Sequence, residues 1–453
     1  MRSRISEETA LVYTVIKWIV LAVSVGIIVG VSTAVFLHLL QASVAWMQER
    51  PYYFVLMPLA FFLSAFLIRM LAPDAEGHGT EKVIEAVHKH AGKIKASVVP
   101  VKLIATIMTI ASGGSAGKEG PCAQIGAGLA AIFARLIRLD DYDRKKLVIC
   151  GISAGFASVF GTPIAGAIFG VEVLFVGSIL YDVILPSFVA GIVSFNVSSS
   201  LGVEYFHGAL NFIPVFDKAT FFQVVAAGIF FGLCSFFLVE VLNFGRRLAQ
   251  RIKGWPPLKG LLGGAFMIVL VLVFSKDYLG LGLDTIQRCL SGQHAPWYAF
   301  VVKALATSIT LNFGGSGGIV TPVFFIGATA GAWFAHVFNL NVPMFAAIGL
   351  VSVLAGAANT PIAASIMAME LFDARLAPFA AVACVISFFI TGHRSVYPSQ
   401  ILGMRKSRHL DVKLGEEIED VKTVIGQEER EIVKFLRRYA GFFKKKEGGP
   451  GKQ

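Results

Sequence analysis

A chain of 453 residues that is 55% hydrophobic and only 15% charged cannot clothe itself in the polar surface of a water-soluble protein, where about a quarter of residues carry charge. With a mean hydropathy of +0.71 it reads as an all-α, polytopic membrane protein. The formal net charge of +11 gathers in short basic clusters at Arg135 and Arg138, residues 144–146, 246–253 and 444–446; that is the pattern of cytoplasmic loops under the positive-inside rule, and nucleic-acid binding is not needed to explain it.

In chain order, the first ten residues mix basic and acidic groups ahead of a very long apolar stretch with no small-residue cleavage site, which predicts a retained membrane helix rather than a cleaved signal peptide. Long apolar runs lie at residues 11–41, 51–71, 147–176, 219–244, 259–275 and 376–391. Shorter or Gly-broken segments at 97–112, 122–137, 178–200, 296–312 and 323–358 predict tilted, partial or re-entrant helices, which a bilayer tolerates only where protein covers their ends. Beyond residue 403, positions 414–443 alternate charged and apolar residues with helical period, predicting a short cytoplasmic amphipathic helix before a basic tail at 444–453. Arg2, Arg4 and that tail place both termini in the cytoplasm. Cys122, Cys150, Cys234, Cys289 and Cys384 are scattered without metal-ligand spacing, so neither disulfides nor a metal site are expected.

Two segments repeat. Gly113-Gly-Ser-Ala-Gly-Lys-Glu-Gly-Pro121 returns as Gly314-Gly-Ser-Gly-Gly-Ile-Val-Thr-Pro322, and each copy leads into Ile-Gly-Ala, at Ile125 and at Ile326. Thr162-Pro-Ile-Ala-Gly-Ala-Ile-Phe-Gly-Val-Glu172 returns as Thr360-Pro-Ile-Ala-Ala-Ser-Ile-Met-Ala-Met-Glu370 in nearly the same register. The membrane domain is therefore two homologous halves, about 11–200 and 215–400, joined near 207–218. Duplicated halves with Gly- and Pro-broken segments in matching places point to a midplane site of a channel or transporter, and an inverted repeat brings two helix N-termini together there. A Gly-rich turn with Pro in the first helical turn aims bare N–H groups and a positive dipole end at an anion. One copy carries a carboxylate, Glu119, where the other carries Val320.

These segments, with GKEGP at Gly117 to Pro121, GIVTP at Gly318 to Pro322 and Tyr397 in Ser-Val-Tyr-Pro, resemble the CLC family of chloride channels and chloride/proton antiporters over about residues 15–403. The resemblance implies an inverted-repeat fold of short tilted helices, residues 1–403 as the anion-conducting domain, and a voltage-gated homodimer with one pathway per subunit. It further implies a plasma-membrane location, chloride or another halide or nitrate as the ion, membrane lipid as the surroundings, and neither cofactor nor enzymatic activity. Glu119 then corresponds to the gating glutamate. The anion-binding positions are Gly117, Lys118, Glu119 and Gly120 on one side, and on the other Gly318 with the backbone amides of Ile319 and Val320. Tyr397 is the inner hydroxyl donor.

Two departures bear on mechanism. The family's inner serine position reads Gly77-His-Gly-Thr-Glu81 here, with His78 in the serine's place; either the imidazole meets the ion, with a pH response, or it turns aside and backbone amides beside Gly77 and Gly79 do so. The family's inner proton-relay glutamate, following the residue that matches Glu172, is Val173. Valine cannot relay a proton, so passive conduction is the expected activity, with chloride/proton antiport the alternative. Glu172 and Glu370 are read as a paired helix-end or interface contact. His393 and Arg394 either line the inner vestibule or form a plain turn. A remote alternative is a membrane-embedded metal-dependent enzyme using Glu81 or Glu85 with His88 or His90, since Glu81, Glu85 and His88 fall near one helix face.

Overall fold

A computed structural model describes residues 2–205, 217–421 and 424–425. Sixteen α-helices among the described residues fall into two sets of eight. The first set is α1 (Arg2–Gln48), α2 (Met57–Leu71), α3 (Thr80–Lys89), α4 (Val98–Ala111), α5 (Glu119–Leu136), α6 (Asp141–Phe160), α7 (Pro163–Glu172) and α8 (Tyr181–Ser200). The second is α9 (Lys218–Arg251), α10 (Leu258–Val273), α11 (Leu283–Leu290), α12 (Ala299–Asn312), α13 (Val320–Val337), α14 (Val342–Ala358), α15 (Pro361–Leu371) and α16 (Ala377–Thr391). Six helical spans are long and apolar enough to cross a membrane, while α4, α7, α10, α12, α14 and α15 are shorter apolar helices. Helices α3, α5, α6 and α11 belong to neither group.

The breaks are written in the sequence at matching places. Helix α6 starts on Asp140, whose side chain accepts from the Asp143 amide at 2.8 Å, and α14 starts on Asn341, which accepts from the Met344 amide at 2.9 Å. Each ends on a left-handed residue, Gly161 (φ 73°) and Asn359 (φ 57°), and a Thr-Pro pair then opens the next helix. The apolar run 147–176 is accordingly two helices, not one, and the segment 323–358 likewise divides into α13 and α14. Between α5 and α6, and between α13 and α14, the backbones nearly touch: a Cβ on Gly126 would lie 2.5 Å from the Gly151 carbonyl oxygen, and one on Gly327 2.3 Å from the Gly349 carbonyl oxygen. Small residues give membrane helices this close approach.

The halves meet as a two-fold pair. The Gly117 amide donates to Gly318 O at 2.7 Å, and the Gly318 amide donates to Gly117 O at 2.6 Å, as an antiparallel bridge. Ser115 N–H donates to Thr310 Oγ1 at 3.0 Å and Ser316 N–H to Thr109 Oγ1 at 2.9 Å. Each bond is the other with the halves exchanged. Helices α5 and α13 start beside this bridge and run apart, the arrangement an inverted repeat requires.

Strand β1 (Phe175–Val176) after α7 pairs in parallel with β2 (Ile401–Leu402), fastening the chain's last described segment under the first half. Strands β3 (Leu410–Asp411) and β4 (Val424–Ile425) pair antiparallel. The helix expected over 414–443 is therefore not found over 414–421 or at 424–425. Gly415, at φ 83°, breaks a helical pattern at its start. The rest of that expected helix, the basic tail and most of the 207–218 join lie outside the described residues.

Candidate anion site at the facing helix ends

The cap positions of α5 and α13 are Lys118 and Ile319, and neither side chain bonds its own helix end. Both first turns therefore present amide groups that the helices themselves cannot satisfy. Glu119, at the start of α5, is 0% exposed. Its carboxylate crosses to the opposite half, where Oε2 accepts from the Thr321 amide at 3.2 Å and Oε1 accepts a short hydrogen bond from the Thr321 hydroxyl. A carboxylate thus sits on the N-terminal turn of α13 as a small bound anion would. Gly117 leaves it room, since a Cβ there would run into the carboxylate.

The structure brings together Gly117, Lys118, Glu119, Gly120, Gly318, Ile319 and Val320, all at the bridge between halves. Thr321, the residue that receives Glu119, was missed in the sequence; it sits where the first copy has Gly120, and a hydroxyl in that first turn was the available signal. Gly120 is pressed by the loop that carries His78. A Cβ on Gly120 would strike the His78 carbonyl, and one on Gly79 (φ 87°) would lie 2.5 Å from Gly120 O. Gly79 thus serves a backbone-to-backbone contact with Gly120. The His78 imidazole turns to Glu81, Nδ1 to Oε2 at 3.4 Å.

Tyr397 is buried, held by its amide's bond to Ser395 Oγ at 2.9 Å. Gln400 fastens this segment: its Nε2 donates to Val173 O and Ala358 O, both at 2.8 Å. Val173 is itself buried and contributes only that carbonyl to these bonds. The hydroxyls of Tyr397 and Thr80 are buried without a hydrogen-bond partner. Two such hydroxyls are what a polar ligand or water needs.

Other polar residues have settled structural work. Glu172 accepts from the amides of Ile362 (3.0 Å) and Ala363 (2.8 Å), capping α15; Glu370 accepts from Ile164 (2.9 Å) and Ala165 (2.8 Å), capping α7. The paired helix-end contact expected of these acids is present, swapped between halves. Lys102 Nζ donates to Ala75 O (3.2 Å) and Gly77 O (2.7 Å); Lys303 Nζ donates to Tyr278 O (3.1 Å) and Gly280 O (2.8 Å). This duplicated brace was also missed, because a lysine in an apolar helix gives no hint of which carbonyls it will find. Arg394 pairs with Glu240 at 2.8 Å, and His393 Nε2 accepts from the Lys406 amide at 3.1 Å. Of the acids and histidines in the metal alternative, His88 meets Leu174 O at 3.1 Å, Glu85 meets Lys82 at 2.8 Å, and Glu81 lies beside His78 and Arg246.

The fold and this site define a class: an integral membrane protein of paired, inverted halves with a carboxylate seated between their facing helix ends. The family model described as voltage gated chloride channel matches residues 60–392, and the chain belongs to that family. It is 36% identical to a chloride/fluoride channel protein of Pseudomonas syringae pv. tomato, over 93% of this chain and 94% of the relative. It is 25% identical to the H(+)/Cl(-) exchange transporter ClcA of Klebsiella pneumoniae subsp. pneumoniae, over 78% of this chain and 80% of that one. Among solved structures, a CLC-type fluoride/proton antiporter superposes with a TM-score of 0.80 at 28% identity, covering 85% of this chain and 97% of that chain. A slow cyanobacterial Cl-/H+ antiporter, at 21% identity and a TM-score of 0.73 over 83% and 94% of the two chains, shares the fold.

Proposed function

We propose that the chain carries a small halide, chloride or fluoride, across the membrane in exchange for protons, with Glu119 as the group for which the two ions compete. The observation that carries this reading is the seat of the Glu119 carboxylate, removed from water and bound to the amide and hydroxyl of Thr321. A halide seeks the same donors at the same helix end. Carboxylate and halide therefore exclude each other, and protonating Glu119 removes the charge that holds it there. Each proton taken up is linked to one vacancy for a halide.

In this reading Gly117, Lys118 and Gly120 frame the side from which Glu119 arises, and Gly318, Ile319 and Val320 offer amides to the ion once the carboxylate leaves. Tyr397 and Thr80 supply inner hydroxyl donors, with His78 beside them. The likeness to a fluoride/proton antiporter and to an exchange transporter supports exchange over passive conduction. Val173 favours the channel reading, as does the name of the Pseudomonas relative. Homodimeric assembly, voltage dependence and a plasma-membrane location with cytoplasmic termini are part of the same proposal. Liposomes loaded with chloride or fluoride decide between the two readings. A halide gradient that drives protons uphill is the expected result, and halide flux without proton movement overturns exchange in favour of a channel.

A further inference from the structure

Val173 stands where the resemblance places an inner proton-relay acid, so a proton that reaches Glu119 from the inner side takes another route. The other acids at the ends of α7 and α15, Glu172 and Glu370, each hold two backbone amides of the opposite half, and moving either would uncap a helix. Glu240, on α9, is committed to Arg394 at a 40% exposed surface position. On the loop that abuts Gly120, Asp74 and Glu76 are exposed, while the Glu81 carboxylate is largely buried.

Glu81 lies in the first turn of α3, on the loop whose Gly79 abuts Gly120. Its side chain is 15% exposed, with Oε2 at 3.4 Å from His78 Nδ1 and Oε1 at 3.7 Å from Arg246 Nη2. Arg246, at the basic end of α9, also meets Glu419 at 3.2 Å, and Glu419 is 61% exposed. A small cavity lined by His78, Arg246, Asn312 and Ser395 opens beside this group. Thr80, the chain neighbour of Glu81, and Tyr397 carry buried hydroxyls without a hydrogen-bond partner, and Tyr397 lies within reach of Thr80, Glu81 and Glu119. Burial pushes the Glu81 carboxyl above its ordinary value, opposed by Arg246 and Lys82 and reinforced by Glu419 and Glu85. Buried hydroxyls without partners are places where water, or the hydroxyls themselves, pass a proton along.

We propose that Glu81 is the inner proton-transfer acid of this chain, replacing the carboxylate missing at Val173. Protonated Glu81 gives its proton to the chain of Thr80, Tyr397 and intervening water, which delivers one to the Glu119 carboxylate; the Glu81 carboxylate is then reprotonated from water beside Arg246 and Glu419. No charge is created, and each hydroxyl ends as it began. The inference rests on the exchange reading above.

The test is simultaneous halide and proton flux from liposomes holding the full chain, its Glu81→Gln variant and its Glu81→Asp variant. The expected result is a halide flux within a few-fold of the unaltered protein in Glu81→Gln, a proton-to-halide ratio lowered at least about tenfold, and recovery of the ratio in Glu81→Asp. An unaltered protein that moves no protons overturns exchange itself. Coupling in the unaltered protein that is undiminished in Glu81→Gln overturns only the assignment of Glu81. Halide and proton flux lost together in both variants also overturns it, since that marks a role in shape alone.

Discussion

The two Gly-rich turns at 113–121 and 314–322 have nearly the same backbone, yet one sends out a carboxylate and the other receives it. The antiparallel bridge between Gly117 and Gly318 makes the helix ends equivalent in geometry. Chemistry alone separates them: Glu119 faces Thr321, and the first copy has Gly120 where a second hydroxyl would stand. A symmetric pair of acids would repel across the axis, and a symmetric pair of amide turns would hold an anion with nothing to displace it. Duplication built the pair of facing helix ends, and breaking it at two positions gave one end an acid and the other the hydroxyl that receives it.

The sharpest way to break that comparison is Glu119→Gln, which keeps the shape and removes the charge. Proton coupling is expected to vanish and halide flux to lose nearly all its pH dependence between pH 5 and 8; a variant that keeps the original pH profile would remove Glu119 from its role. The lysine braces offer a graded contrast. Lys102→Met and Lys303→Met each leave two carbonyls unpaired in a dry place, at about 1–3 kcal/mol per group, so both should lower the detergent unfolding midpoint. Only Lys102 holds the loop of His78, so transport should fall several-fold more in its variant, and equal transport losses would contradict that placement.

The swapped caps come next. Glu172→Ala and Glu370→Ala each free two amides, but Glu172 is the more deeply buried, so thermal unfolding should show a loss of about 3 kcal/mol for the first and a smaller one for the second. A last contrast is Thr321→Val. It removes one hydrogen bond to a charged group, worth about 1.5–3 kcal/mol, and leaves the amide. Glu119 should then release its seat more readily, raising halide flux at neutral pH by roughly ten- to a hundredfold; flux at or below that of the unaltered protein would show that the hydroxyl does not hold the carboxylate.

Much of this was legible in the sequence alone. The two repeats, their Gly-rich turns and the acid at Glu119 all stand there, because turn chemistry and composition act on neighbouring residues. The run 147–176 misled as a single span because Gly161 is inconspicuous among apolar residues, although its left-handed backbone ends the helix. The helix expected from 414 rested on periodicity, which a glycine at 415 and pairing with distant chain override. His78 was placed at the site by position in the chain, while its ring direction is set by Glu81.

By itself the sequence determined the membrane class, the two-fold construction, the pair of anion-directed helix ends and which end carries the acid. These follow from local rules: hydropathy sets what lipid accepts, and Gly and Pro set where helices start. Only the tertiary structure decided what faces what. Glu119 finds Thr321 across 202 positions of chain, each TPIA glutamate caps the helix of the other half, and Lys102 and Lys303 find their carbonyl pairs. Those partners meet through a two-fold relation between halves, a long-range packing outcome that no local pattern records.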